Sequence, residues 1–146
     1  MRIPHDDAIS RLRAHDHGVL STLHPERGID SVPVVYFTDG VSLVIPIDTV
    51  KPKTSPVLQR EKNLDSDPRA VLLIDHWDRD DWSQLWWVRA ELHWTGTDSE
   101  MTGPLADGLV DRYPQYVGSP FHHLLTFSVE SSTGWSAIRE SRSYRF

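Results

Sequence analysis

The stretch Trp86-Trp87-Val88-Arg89-Ala90-Glu91-Leu92-His93-Trp94 alternates with a period of two. Trp86, Val88, Ala90, Leu92 and Trp94 fall on one side. Trp87, Arg89, Glu91 and His93 fall on the other. Successive side chains of a strand point to opposite faces, so this is a strand with one apolar face and one that turns polar after Trp87. Working back from it, Asp75–Asp81 is an acidic, Trp-bearing connection, and the continuous apolar run Ala70–Ile74 predicts a strand covered on both faces. Further upstream, Val19–Leu23, Ile29–Thr38 and Ser42–Ile47 read as strands. They are separated by the turn chemistry of His24–Gly28 and by the hairpin signal Asp39-Gly40. Pro33 and Pro46 lack the ladder N–H, so each marks an edge, a bulge or a strand end. Working forward, His123, Leu125, Phe127 and Val129 form the apolar set of another alternating strand, and Trp135–Ile138 predicts a last short one.

Helices punctuate these strands. Pro4–His17 predicts an opening helix with Asp6 and Asp7 at its positive end, Ala8, Ile9 and Leu12 as its apolar stripe, and Gly18 as its stop. Thr49–Pro56 is a Pro- and Lys-rich loop. Ser55 then caps a short helix with Pro56 in its first turn, and Asp67-Pro68 ends it. Thr102–Tyr113 predicts a third helix, with Pro104 near its start and Pro114 just past its end. Strands joined by hairpins imply an antiparallel sheet. Six or seven short strands tend to close into a barrel, which removes exposed edges. The expected fold is therefore mainly β, a small barrel with short flanking helices, formed by one domain over residues 1–146.

The 146 residues include 38% hydrophobic and 25% charged positions, a globular rather than disordered composition. No apolar run approaches the ~20 residues that span a bilayer, and Met1–Asp7 lacks the apolar segment of a secretory signal. The absence of cysteine excludes disulfides, thiolate metal sites and a cysteine nucleophile, and fits a reducing cytoplasm. A net charge of −6 argues against nucleic acid or an anionic membrane as partner. Yet all three lysines, Lys51, Lys53 and Lys62, share one window with Arg60.

Sorting the chemistry-bearing residues leaves few options. His15 and His17 lie two apart on the expected helix and so would not share a face. His122 and His123 would point to opposite sides of a strand. Asp75, Asp78, Asp80 and Asp81 lack the glycine and glutamate of a calcium loop. No metal is expected. No Gly-x-Ser-x-Gly, Gly-x-Gly-x-x-Gly or Walker loop occurs, which disfavours a serine hydrolase and a Rossmann domain. What remains is Asp48-Thr49-Val50-Lys51-Pro52-Lys53-Thr54, with Arg60 and Asn63 on the helix behind it. Ammonium groups, hydroxyls and free helix N–H groups are the parts of a phosphate site, or else the cations balance nearby carboxylates on a solvated loop. Trp86 and Trp94 suit a core or a subunit interface, whereas Trp82 and Trp87 could wall a flat ring.

The order of these motifs resembles the pyridoxamine-phosphate-oxidase-like, FMN-binding split barrels. Gly18-Val19-Leu20-Ser21-Thr22-Leu23 resembles their opening strand and Val32-Pro33-Val34-Val35-Tyr36 the next. Arg60-Glu61-Lys62-Asn63-Leu64-Asp65-Ser66-Asp67-Pro68-Arg69-Ala70 resembles their Lys/Arg-x-x-Asn-Leu-x-x-Asp-Pro-Arg-Ala segment. More narrowly, Asp48 through Lys53 and Asp81-Trp82-Ser83 through Trp87-Val88-Arg89 resemble the actinobacterial branch of F420-dependent flavin/deazaflavin oxidoreductases. The resemblance runs from about Leu12 to Trp94. It implies a split β-barrel, a homodimer with the cofactor at its interface, and hydride transfer between coenzyme F420 and a small organic substrate.

Residue by residue, the resemblance puts Arg60 on the cofactor phosphate, with Asn63 in the same element. Lys51 and Lys53 would meet the phosphate and acidic tail of F420. Ile47, Asp48 and Thr49 would lie along the ring or ribityl chain. Trp82 and Ser83 would approach from the second subunit. Because the cofactor carries the chemistry, no catalytic side chain is assigned, although Tyr36, Arg89 and His93 are conceivable proton donors. His76-Trp77-Asp78 and Glu91-Leu92 depart from the family pattern, which leaves the substrate open. The alternatives are an FMN-binding oxidoreductase of the same fold and a non-enzymatic flavin or haem carrier using His122 or His123.

Overall fold

A computed structural model describes residues 1–47, 58–98, 103–117 and 123–138. Its elements are α1 (His5–Ala14), β1 (His17–His24), β2 (Gly28–Val35), β3 (Phe37–Thr38), β4 (Ser42–Ile47), α2 (Gln59–Ser66), β5 (Arg69–His76), β6 (Trp86–Asp98), α3 (Pro104–Arg112) and β7 (His123–Ser136).

Local chemistry makes the turns. Between β1 and β2, His24 Nδ1 accepts from the backbone N–H groups of Glu26 and Arg27, both at 3.0 Å. Between β3 and β4, Asp39 Oδ1 accepts from the N–H groups of Val41 at 2.9 Å and Ser42 at 2.8 Å. Gly40 supplies the φ of +94° that this turn needs. Every strand pair is antiparallel, in the order β2-β1-β5-β6-β7-β4-β3. The two prolines sit where an N–H is not needed. Pro33 is on the edge strand β2, and Pro46 lies beyond the point where β3 stops pairing with β4.

Alternation fixes what each face meets. Leu20, Leu72, Ile74, Val88, Ala90, Leu125 and Phe127 form the barrel interior with Ala8 and Leu12 of α1 and Leu64 of α2. A second cluster covers the outside of β4 and β7, where Ala106 and Leu109 of α3 pack on Val44 and Leu124. Among the described residues, no helix covers the outer face of β1 and β5 in the same way, and the directly paired Val19 and Leu73 are 38% and 42% exposed there.

Several expectations change. The opening helix ends at Ala14, and His17 already belongs to β1. Gly18 is therefore not a helix stop. It is a strand residue at a close approach, because a Cβ there would lie 2.7 Å from the Leu73 carbonyl oxygen and 2.9 Å from Ile74 Cγ2. Gly18→Ala should force β1 and β5 apart and lower the unfolding free energy by about 1–3 kcal/mol. A urea titration checks this, and an unchanged midpoint would refute the close approach.

The run expected as one strand from Ile29 to Thr38 breaks at Tyr36, so that β2 pairs with β1 and β3 with β4. The two strands expected near the C-terminus are one, with β7 running through to Ser136. The apolar run Ala70–Ile74 is covered on one face only, since Leu73 is exposed.

Candidate functional site

The cationic window begins where β4 ends. Ile47 is buried there and pairs with His123, the first residue of β7. Asp48, Thr49, Lys51 and Lys53 lie outside the described residues, as do Ser55, Pro56 and His122. The described helix α2 starts at Gln59, with Leu58 extended at its N-cap position. Arg60 is half-buried and Lys62 exposed. Between them Glu61 reaches β7, with 3.0 Å from its Oε1 to His123 Nε2, so the helix start is tied to the strand beside Ile47.

Asn63 points the other way. It is fully buried. Its amide nitrogen donates to Thr22 Oγ1 at 3.0 Å and to Asp30 Oδ2 at 2.9 Å, and its oxygen accepts from Gln59 Nε2 at 2.9 Å. This amide fastens α2 to β1 and β2. The Asn63 amide, and then the Arg27 guanidinium, hold the Asp30 carboxyl below the usual carboxylate range.

At the C-terminal end of α2, Arg69 grips Asp67 through its guanidinium at 2.7 Å and its backbone N–H at 3.1 Å. These bonds hold the Asp67 carboxyl down at about 2. A depressed carboxylate contributes stability above its unfolded pKa of roughly 3.9 that disappears as pH falls through the folded value. The melting temperature should therefore fall between about pH 4 and pH 2, and Asp67→Asn should flatten that fall. A series of thermal melts in this window checks it.

Trp82 and Ser83 sit in a short 3₁₀ turn, Trp82–Gln84, at the start of β6. Asp81 Oδ1 caps the turn, accepting from Ser83 Oγ at 2.5 Å and Ser83 N at 3.1 Å. The Trp82 Nε1–H donates to the Arg79 carbonyl at 3.1 Å, while the residue remains 68% exposed. The two halves of the expected site are thus separated within one chain. Glu61, next to Arg60 on α2, lies by His123 at the start of β7, whereas the turn at Trp82 leads to Leu85, whose carbonyl bonds Ala137 just past the end of that strand.

Between these ends lies the outer face of β1, β5 and β6. A groove of about 510 Å³ there is lined by Ser21, Arg69, Val71, Glu91, His93 and Glu130. A smaller hollow of about 290 Å³ is walled by Leu73, Asp75, Trp87 and Arg89. The polar half of the β6 alternation announced Arg89 and His93, but Arg69 and Glu130 join them only through strand pairing. Tyr36 is not placed to exchange protons. It is fully buried, its hydroxyl donates to the Leu12 carbonyl at 2.6 Å, and burial pushes its phenol well above the usual range.

Among the described residues, the cations of α2, Arg60 and Lys62, and the exposed indole of Trp82 before β6 are the kinds of group that an anionic aromatic ligand of the flavin type needs. No protein-family model matches the sequence. No curated protein matches it either. Solved structures do.

An FMN-binding protein from Syntrophomonas wolfei subsp. wolfei is similar, with a TM-score of 0.67 at 13% identity over 92% of this chain and 90% of that one. An F420 reductase superposes with a TM-score of 0.57 at 17% identity, over 84% of this chain and 93% of that one. A candidate pyridoxamine 5'-phosphate oxidase from Corynebacterium glutamicum gives 0.54 at 13% identity, over 92% and 90%. The protein has the split β-barrel fold of the pyridoxamine-5'-phosphate-oxidase-like proteins. Among the described residues, no helix is long and apolar enough to cross a membrane.

Proposed function

We propose that this protein is an F420-dependent oxidoreductase, active as a homodimer in the cytoplasm. When bound, the deazaflavin ring supplies hydride transfer to or from a small organic substrate. Lys51, Lys53 and Arg60 hold the phosphate and acidic tail, and Ile47, Asp48 and Thr49 run along the ring or ribityl chain. Trp82 and Ser83 of a second copy close over the site. The observation that carries this reading is the gathering of all three lysines and Arg60 in one window, just after the buried end of β4. An acidic tail needs more cations than the single phosphate of FMN, which favours F420.

The placement of Trp82 and Arg60 at opposite ends of β7 supports a two-copy site, because one chain does not bring them together. The exposed outer face at Val19, Leu73 and Ile29 is apolar surface that a second copy would cover. Asn63 serves the site from behind, by fixing the helix that carries Arg60.

Titration of the purified protein with F420 and with FMN tests the reading. Lys51→Ala and Lys53→Ala should each weaken F420 by about 10- to 100-fold, the effect of losing a charge-assisted contact, and should weaken FMN less. Added salt should weaken F420 more steeply than FMN. Equal losses for the two cofactors would overturn the tail assignment, and preferential binding of FMN would make the protein an FMN-dependent enzyme. Light scattering should give twice the chain mass, and a monomer would remove the second copy from the site.

A further inference from the structure

The early end of α1 changes what His15 and His17 can do. In an extended segment, residues two apart project to the same side. His15 has φ −80° and ψ 155°, and His17 opens β1. Their rings stack with centroids 5.5 Å apart. Asp16 turns to the same side, its Oδ1 standing 3.0 Å from His17 Nδ1. One ligand atom from each of the three residues lies within 4.8 Å of the other two.

The segment is also held in place. Arg112 of α3 donates to the carbonyls of His15 at 2.7 Å and Arg13 at 2.5 Å. The Tyr113 hydroxyl donates to the Asp16 carbonyl. Three carbonyls, that of Arg13 near the end of α1 and those of His15 and Asp16 in the connection to β1, are therefore pinned to the end of α3. The His15 ring stands edge-on to Trp86 at 5.5 Å, which gives it a fixed wall.

We propose that His15, Asp16 and His17 form a surface site for a divalent transition-metal ion of the zinc class. Two imidazoles and one carboxylate suit Zn²⁺ rather than Mg²⁺ or Ca²⁺, which prefer all-oxygen shells. Zn–ligand bonds are about 2.0–2.2 Å, so ligand atoms on one ion stand roughly 3–4 Å apart. Small side-chain rotations close the present spread to that distance, and water completes the exposed side. The proposal is independent of the cofactor reading.

Tag-free, EDTA-stripped protein titrated with ZnCl₂ in excess Mg²⁺ tests it. One zinc per chain should bind in the micromolar range. His15→Gln and His17→Gln should each weaken it at least tenfold, whereas His93→Gln, seven residues along β6 from the Trp86 that walls His15, should leave it unchanged. In the wild-type protein, zinc should shift the imidazole NMR signals of His15 and His17 ahead of the other histidines, a readout that needs no variant to fold. Binding weaker than millimolar, binding that survives the double variant, or shifts centred on other histidines would overturn the site.

Discussion

Tyr36→Ala should lower the unfolding free energy by about 3–5 kcal/mol, the range for removing a large buried aromatic side chain. Two side-chain contacts stand behind the number. The ring is fully buried among the barrel residues. The hydroxyl donates to the Leu12 carbonyl at 2.6 Å, in the last turn of α1. The Tyr36 carbonyl, which the variant keeps, stands 3.0 Å from the Tyr113 hydroxyl, which brings the end of α3 to the same point.

Tyr36→Phe separates the two side-chain contacts. It keeps the ring and should cost only about 1–2 kcal/mol, the value of one hydrogen bond with its acceptor left buried. The pH dependence gives an independent check. Burial raises the phenol in the folded state. A raised pKa contributes stability below the unfolded value of about 10 that is lost as pH rises beyond it. The wild type should therefore lose stability above about pH 10, and Tyr36→Phe should lose less over the same interval. Urea titrations of the three proteins at pH 7 and pH 10.5 decide the matter. A Tyr36→Ala cost under 1 kcal/mol would mean that the ring is not the junction of α1, α3 and the barrel.

Tyr36 also marks where the sequence stops being legible. The alternation of Trp86–Trp94, the Asp39-Gly40 turn and the two strand prolines are short-range signals, and each appears in the structure where it was expected. The break at Tyr36 has no local signal. Ile29–Thr38 is a continuous β-prone run, and only the need to pair first with β1 and then with β4 splits it. The end of α1 is similar. Nothing in Ala14-His15-Asp16-His17 is a strong helix stop. The segment straightens because Arg112 and Tyr113, nearly a hundred residues away, take up its carbonyls. Gly18, the nearest apparent stop, has a different task set by β5.

The site shows the same division. A cluster of lysines in an otherwise lysine-free chain is visible without coordinates. That Arg60 and Trp82 fall at opposite ends of a strand is not, since it depends on the path of β7. Asn63 is the sharpest case. Spacing alone put it on the face of α2 with Arg60, because residues three apart are helix neighbours. The barrel wall decides which way its amide turns.

Asn63→Asp should therefore be more damaging than Asn63→Ala. Alanine leaves the Thr22 hydroxyl and Gln59 amide without their partner and opens a small cavity. The sum is about 2–3 kcal/mol, or roughly 5–10 °C in melting temperature. Aspartate keeps the volume but removes the amide donor. It sets a buried carboxylate where the Asn63 nitrogen now stands 2.9 Å from Asp30 Oδ2. An uncompensated buried charge costs about 3–5 kcal/mol.

The two variants also differ in their response to acid. Protonating the new carboxyl restores a donor toward Asp30, and its pKa in the fold is raised by burial and by the like charge. A raised group gains relative stability as pH falls toward its unfolded value, so the deficit of Asn63→Asp against the wild type should shrink between pH 7 and about pH 4. The deficit of Asn63→Ala carries no such protonation and should change far less over that interval. Melts of the cofactor-free protein are the right measurement, because the bonds at Asn63 close within the chain. If both variants melted with the wild type, the amide would be idle in the fold and available to a ligand. If they melt early, Asn63 acts on the cofactor through α2, by holding Arg60 at the end of β4.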